Sequence, residues 1–144
     1  MAANILNIDG GTFTGYLSAV EIKAGDLNIE DGTFKSTVNI SSDNKESVDV
    51  PAIKGAAIAI SNGVAGKETG VNIHGGAFFG CYSVYDIGNA SDLNIDGGMF
   101  SDIVYSSNND HFICGGTFSI NPNYGGDYVA SGCTVEGSGP YVVN

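Results

Sequence analysis

Leu6-Asn7-Ile8-Asp9-Gly10-Gly11-Thr12-Phe13 recurs down the chain. It returns as Leu27-Asn28-Ile29-Glu30-Asp31-Gly32-Thr33-Phe34 and as Val71-Asn72-Ile73-His74-Gly75-Gly76-Ala77-Phe78. Leu93-Asn94-Ile95-Asp96-Gly97-Gly98-Met99-Phe100 is a fourth copy, and His111-Phe112-Ile113-Cys114-Gly115-Gly116-Thr117-Phe118 a looser fifth. A fixed period in this range signals a repeat architecture, and it governs every other reading of the chain.

The central isoleucines give the period. Ile8 and Ile29 are 21 residues apart, Ile73 and Ile95 are 22 apart, and Ile95 and Ile113 are 18 apart. Ile29 and Ile73 are separated by 44, twice the period, which predicts a degenerate copy midway. Val48-Asp49-Val50 keeps the apolar-polar-apolar core there, with Pro51-Ala52-Ile53 in place of the glycine turn. The expectation is therefore about six units of 18–23 residues.

Each copy is a short alternating run, a glycine turn and a Phe, followed by a second alternating run. Those second runs are Ala19-Val20-Glu21-Ile22, Thr37-Val38-Asn39-Ile40, Ala57-Ile58-Ala59-Ile60, Ser83-Val84-Tyr85-Asp86-Ile87 and Ile103-Val104-Tyr105. Alternation with period two is the strand signal, and no sustained helical period appears. Variable polar segments link the units, the longest at Ser41 to Ser47 and Gly63 to Gly70. A meander of hairpins would not return the same residue types at the same phase. A chain that winds and stacks on itself would, with equivalent strands about 4.8 Å apart.

The predicted fold is all-β: a right-handed, single-stranded parallel β-helix, a solenoid of about six coils. Residues 1–119 form the coils and 120–144 a capping segment of the same domain. Interior columns should be Leu6, Leu27, Val48, Val71 and Leu93; the isoleucines with Val50; and Phe13, Phe34, Phe78, Phe100 and Phe118, with Ile53 in the gap. Asn7, Asn28, Asp49, Asn72 and Asn94 alternate outward. They read equally well as a hydrogen-bonded ladder or as polar residues on a wet strand. In the tail, Asp127 and Gly132 read as the start and stop of one helical turn, and terminal repeats need an atypical cap.

Composition bounds the function. Five Lys, no Arg and 16 acids leave a net charge of −11, which excludes a nucleic-acid binder. Glycine is abundant, 22 residues, but falls at one place in each unit, as turn chemistry requires. No stretch is long and apolar enough to insert in a membrane. Cys81, Cys114 and Cys133 match no metal spacing and no even-numbered framework. They read as small free thiols, with a single bridge such as Cys114 to Cys133 left open. No signal peptide follows Met1, and the segment reads as excised from a longer chain.

The Ile-x-Gly-Gly-Thr-Phe units, with Gly115-Gly116-Thr117-Phe118-Ser119, Asn121-Pro122 and Tyr128-Val129-Ala130 closing them, resemble right-handed parallel β-helix repeats. Such repeats occur in large secreted or surface proteins of gut-type Gram-positive bacteria. The chain departs from them at Asn121, where Asp is usual, and at Cys133, where Tyr is usual. The resemblance implies an extracellular or cell-surface location and a stalk or adhesin-like module without enzymatic activity. Partners would be host or bacterial glycans or surface proteins.

Catalysis finds little footing. A lyase of the pectate type needs a cationic base beside a carboxylate-bound cation, and there is no Arg. A hydrolase needs two carboxylates across one cleft. Asp9, Glu30 and Asp96 share a phase before the glycine turn with His74 and Cys114, but acids are ordinary turn residues there. No cofactor and no firm metal site is expected, Asp9 and Glu30 being the nearest to a shared cation. His111 stands at the inward Leu position of the last repeat. The ligand-binding candidates are Tyr82, Tyr85 and Tyr105, with Asp86 and Asp102 as hydrogen-bonding partners for a sugar. Tyrosines filling wide corners fit the same pattern. The alternative function is accordingly a carbohydrate-binding or polysaccharide-cleaving domain. The first unit, Leu6 to Gly25, should expose an uncapped edge that either invites self-association, head to head, or is covered by further coils preceding it in a parent protein.

Overall fold

The computed structural model describes residues 4–38, 55–61 and 66–144. Its described residues hold strands and turns and no helix. The strands are β1 (Ile5–Ile8), β2 (Thr12–Gly15), β3 (Val20–Ile22), β4 (Gly25–Ile29), β5 (Thr33–Ser36), β6 (Ala56–Ile60), β7 (Thr69–Ile73) and β8 (Ala77–Phe79). They continue with β9 (Tyr82–Asp86), β10 (Ser91–Ile95), β11 (Met99–Phe100), β12 (Ile103–Ser106), β13 (Gly116–Phe118), β14 (Val135–Glu136) and β15 (Tyr141–Val143).

These strands form three sheets, and the chain visits them in the same order four times. The first sheet is β1-β4-β7-β10 and the third is β3-β6-β9-β12, both wholly parallel. The second is mixed: β2-β5-β8-β11-β13 is parallel, and β15 and β14 close it antiparallel. The pairing is compatible with a β-helix. Strands buried at alternate positions explain the sequence pattern: in β7, Thr69, Val71 and Ile73 are buried while Gly70 and Asn72 are half-buried.

One core joins the inner faces of all three sheets. Leu27, Ile29, Val71, Ile73, Leu93 and Ile95 come from the first sheet, Phe34, Phe78, Phe100 and Phe118 from the second, and Ile58, Ile60, Val84 and Val104 from the third. The phenylalanines pair in register and stack. Ring centroids from Phe13 through Phe118 are 5.1, 5.1, 4.9 and 4.7 Å apart, with planes within 9° of parallel. Glycine makes the turn between first and second sheets possible. Gly76 sits at φ +100°, and a Cβ on Gly97 would collide with the His74 carbonyl of the repeat before it.

The pairing corrects the expected number of units. β4 pairs directly with β7, Leu27 opposite Val71 and Ile29 opposite Ile73, so no strand lies between them. β3 likewise pairs directly with β6, Val20 opposite Ile58. Ala57 to Ile60 is thus the third strand of the second repeat, and Thr37 and Val38 are not in a strand. Among the described residues the copies number five, and the extra length of the 44-residue interval falls mostly between β5 and β6, with the rest between β6 and β7. Val48 to Ile53, Asp49 included, and Asn39, Ile40 lie outside the described residues. An insertion at a corner leaves the register intact because the apolar columns and glycine turns on either side fix it.

Two further readings change. His111 is exposed at φ 54°, and its neighbour Phe112 turns inward instead, packing on Tyr128 at 4.9 Å. Between Asp127 and Gly132 there is no helical turn. That segment runs beside the fifth copy: Ile113 N–H donates to Tyr128 O and Ala130 N–H to Ile113 O, each at 2.8 Å. Gly132 instead takes φ +87° in a turn. Extended backbone wins because each pairing satisfies an edge that a helical turn would leave open.

Candidate functional site

The outer face of the third sheet carries the tyrosines. Strand register places Tyr85 beside Tyr105 and Ala59 beside Tyr85. Tyr85 and Tyr105 stack at 5.2 Å and 21°, and Tyr82 leans on Tyr85 at 4.8 Å and 56°. All three are half-buried, and Tyr82 and Tyr85 pack against a small outer cluster of Val38, Ala56 and Ala59. Burial, then the neighbouring Tyr105, pushes the Tyr85 phenol above its ordinary value. Sugars dock on open ring faces, and here the stacked rings cover a face of each other.

The two acids chosen as their partners differ in access. Asp102 Oδ2 accepts from Gly80 N–H at 3.1 Å, bracing one repeat against the next. Asp86 is fully buried. Its Oδ1 accepts from Gly88 N–H at 3.0 Å, and its Oδ2 accepts from Ser91 Oγ at 2.9 Å, Ser106 Oγ at 2.7 Å and Asn109 Nδ2 at 2.9 Å. Neutral donors surround a carboxylate that no solvent reaches, so Asp86 holds two turns together and is not open to a ligand. The sequence carried the signal: Val84 points in, Tyr85 out, and Asp86 in again.

The turn acids form a second constellation. His74 Nδ1 lies 2.6 Å from Asp96 Oδ1, and its Nε2 lies 3.9 Å from Glu30 Oε1. All three are exposed, as is Asp9 one repeat further along. Among the described residues, no three His, Cys, Asp or Glu side chains converge as metal ligands. Asp9 and Glu30 occupy the same turn position in successive repeats. A shallow acidic groove of about 370 Å³ runs past Asp26, Glu68 and Asp92 between repeats.

The outward asparagines are a ladder. Asn28 Nδ2 donates to Asn7 Oδ1 at 2.9 Å, Asn72 Nδ2 to Asn28 Oδ1 at 2.9 Å, and Asn94 Nδ2 to Asn72 Oδ1 at 3.3 Å. Every amide donates in the same direction. In the tail, Cys114 and Cys133 form a disulfide with Cα atoms 5.5 Å apart, and Cys81 remains free. The expectation of three thiols is corrected here. The pairing depends on Cys133 returning to the fifth repeat, which spacing alone does not reveal.

No family model matches the chain, and neither a curated protein nor a solved structure matches it.

Proposed function

We propose that the chain is a right-handed parallel β-helix serving as a rigid, non-enzymatic stalk or ligand-presenting module of a bacterial cell-surface or secreted protein. The observation that carries this reading is the in-register stacking of identical side chains on two sheets, asparagine outside and phenylalanine inside. Such columns repeat one short-range bonding scheme along an axis, so stiffness grows with the stack while the corners stay free to vary. Right-handedness follows the general preference of parallel crossovers. The Cys114–Cys133 bridge fits an oxidising compartment outside the cytosol.

The chemistry of the side chains supports the same reading. The buried carboxylate braces turns, and the exposed acids sit where turns want them. The second reading, a carbohydrate-binding or carbohydrate-cleaving domain, rests on the tyrosine cluster with Asp102. A glycan array run beside a reducing-sugar assay on pectin, mucin and xylan separates the two. The stalk reading expects neither cleavage nor a glycan signal that responds to Tyr105→Ala. Cleavage above background would discard it, and saturable binding lost with Tyr105→Ala would replace it with a lectin-like role.

A further inference from the structure

At the corner between the first and second sheets, one histidine stands in a column of acids. Register stacks Ile8, Ile29, Ile73 and Ile95, so the residues that follow them, Asp9, Glu30, His74 and Asp96, line one corner of successive repeats. Their backbones are fixed. Glu30 N–H donates to Ile8 O at 2.9 Å, His74 N–H to Ile29 O at 2.8 Å and Asp96 N–H to Ile73 O at 3.0 Å. The turns also stack closely: a Cβ on Gly75 would strike the Glu30 carbonyl, and one on Gly97 the His74 carbonyl. Glu30, His74 and Asp96 therefore project into solvent from neighbouring turns that hold their spacing.

The imidazole is already oriented. Its Nδ1 lies 2.6 Å from Asp96 Oδ1, and a carboxylate only accepts, so Nδ1 carries the hydrogen. In the neutral ring Nε2 then presents its lone pair, 3.9 Å from Glu30 Oε1. That separation is too long for a hydrogen bond. Two acceptors thus stand across a gap, on a chain of net charge −11. A carboxylate holding the other ring nitrogen is the usual support of a metal-bound histidine. A tetrahedral zinc ion, roughly 2.0–2.1 Å from nitrogen and about 2.0–2.2 Å from carboxylate oxygen, sets two such ligands about 3.4 Å apart. Closing the gap to that distance takes about half an ångström, which a small turn of the exposed Glu30 side chain supplies.

We propose that His74 Nε2 and Glu30 Oε1 form an exposed binding site for a divalent transition-metal ion, with Asp96 as the residue that positions the imidazole. Two protein ligands leave the remaining positions to water, in keeping with the lack of a third converging side chain among the described residues. The ion is therefore exchangeable and held less tightly than in a closed four-ligand site. Imidazole selects ions of the zinc, copper and nickel class, whereas calcium and magnesium take oxygen ligands. His111 lacks the arrangement. Its Nε2 meets Asp127 Oδ2 at 3.0 Å, and among the described residues no second carboxylate pairs with its ring. A bound ion ties the second repeat to the third from outside. The proposal does not depend on the stalk reading, and its test shares no readout with the glycan array.

The experiment titrates zinc ion into the untagged, isotope-labelled full chain and follows the imidazole nitrogens by NMR. The expected result is one saturable site that moves the His74 Nε2 signal and leaves His111 in place, with calcium in excess failing to displace the zinc. His74→Gln should abolish the site and His111→Gln leave it unchanged. Asp96→Asn should weaken binding roughly 10–100-fold, as loss of such a support does, and Glu30→Gln by at least as much. All four side chains are exposed, so the variants keep the fold, which their metal-free amide spectra verify. Three results would overturn the proposal. One is no movement of Nε2 up to the limit of zinc solubility, which would leave His74 as an ion-pair partner of the two acids only. The others are an affinity untouched by Glu30→Gln, and binding lost with His111→Gln instead of His74→Gln.

Discussion

At the scale of single residues, position in the alternation decides cost. Phe78 is fully buried between Phe34 and Phe100 in the stack. Phe78→Ala should destabilise by roughly 3–5 kcal/mol, since a one-dimensional stack cannot collapse around the cavity. Asn72→Ala, outside, removes two ladder bonds and should cost well under that, about 1–2 kcal/mol. Denaturant titrations of the two variants decide it, and equal losses would mean the inward and outward faces are misassigned. Asp86 is the polar counterpart of Phe78. Asp86→Ala removes the acceptor of Ser106 Oγ and of the Gly88 N–H, leaves Ser91 Oγ with Gly88 O, and should cost at least about 1–3 kcal/mol. A near-neutral melt for Asp86→Ala would show that water fills the carboxylate's place.

At the scale of elements, the closing segment is the place to probe. The Cys114–Cys133 bridge spans a sequence separation of 19 and ties the tail to the fifth repeat. On loop entropy its loss should cost roughly 3 kcal/mol, read as a lower midpoint for Cys114→Ser with Cys133→Ser, or under reductant. An unchanged midpoint would show that β13–β15 pairing alone secures the tail. Tyr128 lies beneath this segment, its hydroxyl donating to Ser106 O at 2.9 Å and accepting from Ser106 N–H at 3.0 Å. Burial raises its phenol above the ordinary value of 10.0, against the Ser106 hydrogen bond, which lowers it. Folding thus holds the phenol protonated. That contribution is complete below pH 10 and is lost as the pH climbs through the raised value. Tyr128→Phe should therefore show a shallower loss of stability above pH 10 than the parent, whatever it loses at neutral pH. Identical alkaline slopes would exclude Tyr128 from the effect.

At the scale of the whole molecule, charge and stacking oppose one another. Exposed acids such as Asp9, Glu30 and Asp96 recur at one phase, and the chain carries −11 overall. Raising salt from about 10 mM to 500 mM shortens the screening length from roughly 30 Å to a few ångströms. The melting temperature should rise by a few degrees as self-repulsion falls. A fall would mean that the His74–Asp96 and Glu21–Lys23 pairs outweigh the repulsion.

What the sequence determined by itself was everything that repeats. Leu27, Ile29 and Phe34 announce inward positions, Gly76 and Gly97 the turns, and Asn28 and Asn72 one outward column. In a stacked β architecture each of these is set by local alternation and by an identical neighbour one period away. Even the burial of Asp86 was legible in the phase of Val84 and Tyr85, although a carboxylate's usual preference for water hid it. Tertiary structure decided what does not repeat. Arithmetic on 44 residues could not separate a degenerate unit from an insertion; the Ile29–Ile73 pairing did, because only one partner can occupy a strand's edge. Likewise the Cys114–Cys133 bridge, the outward turn of His111 and the closing strand β15 arise where the chain folds back on its last repeat. Those contacts join residues of different type across a reversal, and no period in the sequence encodes them.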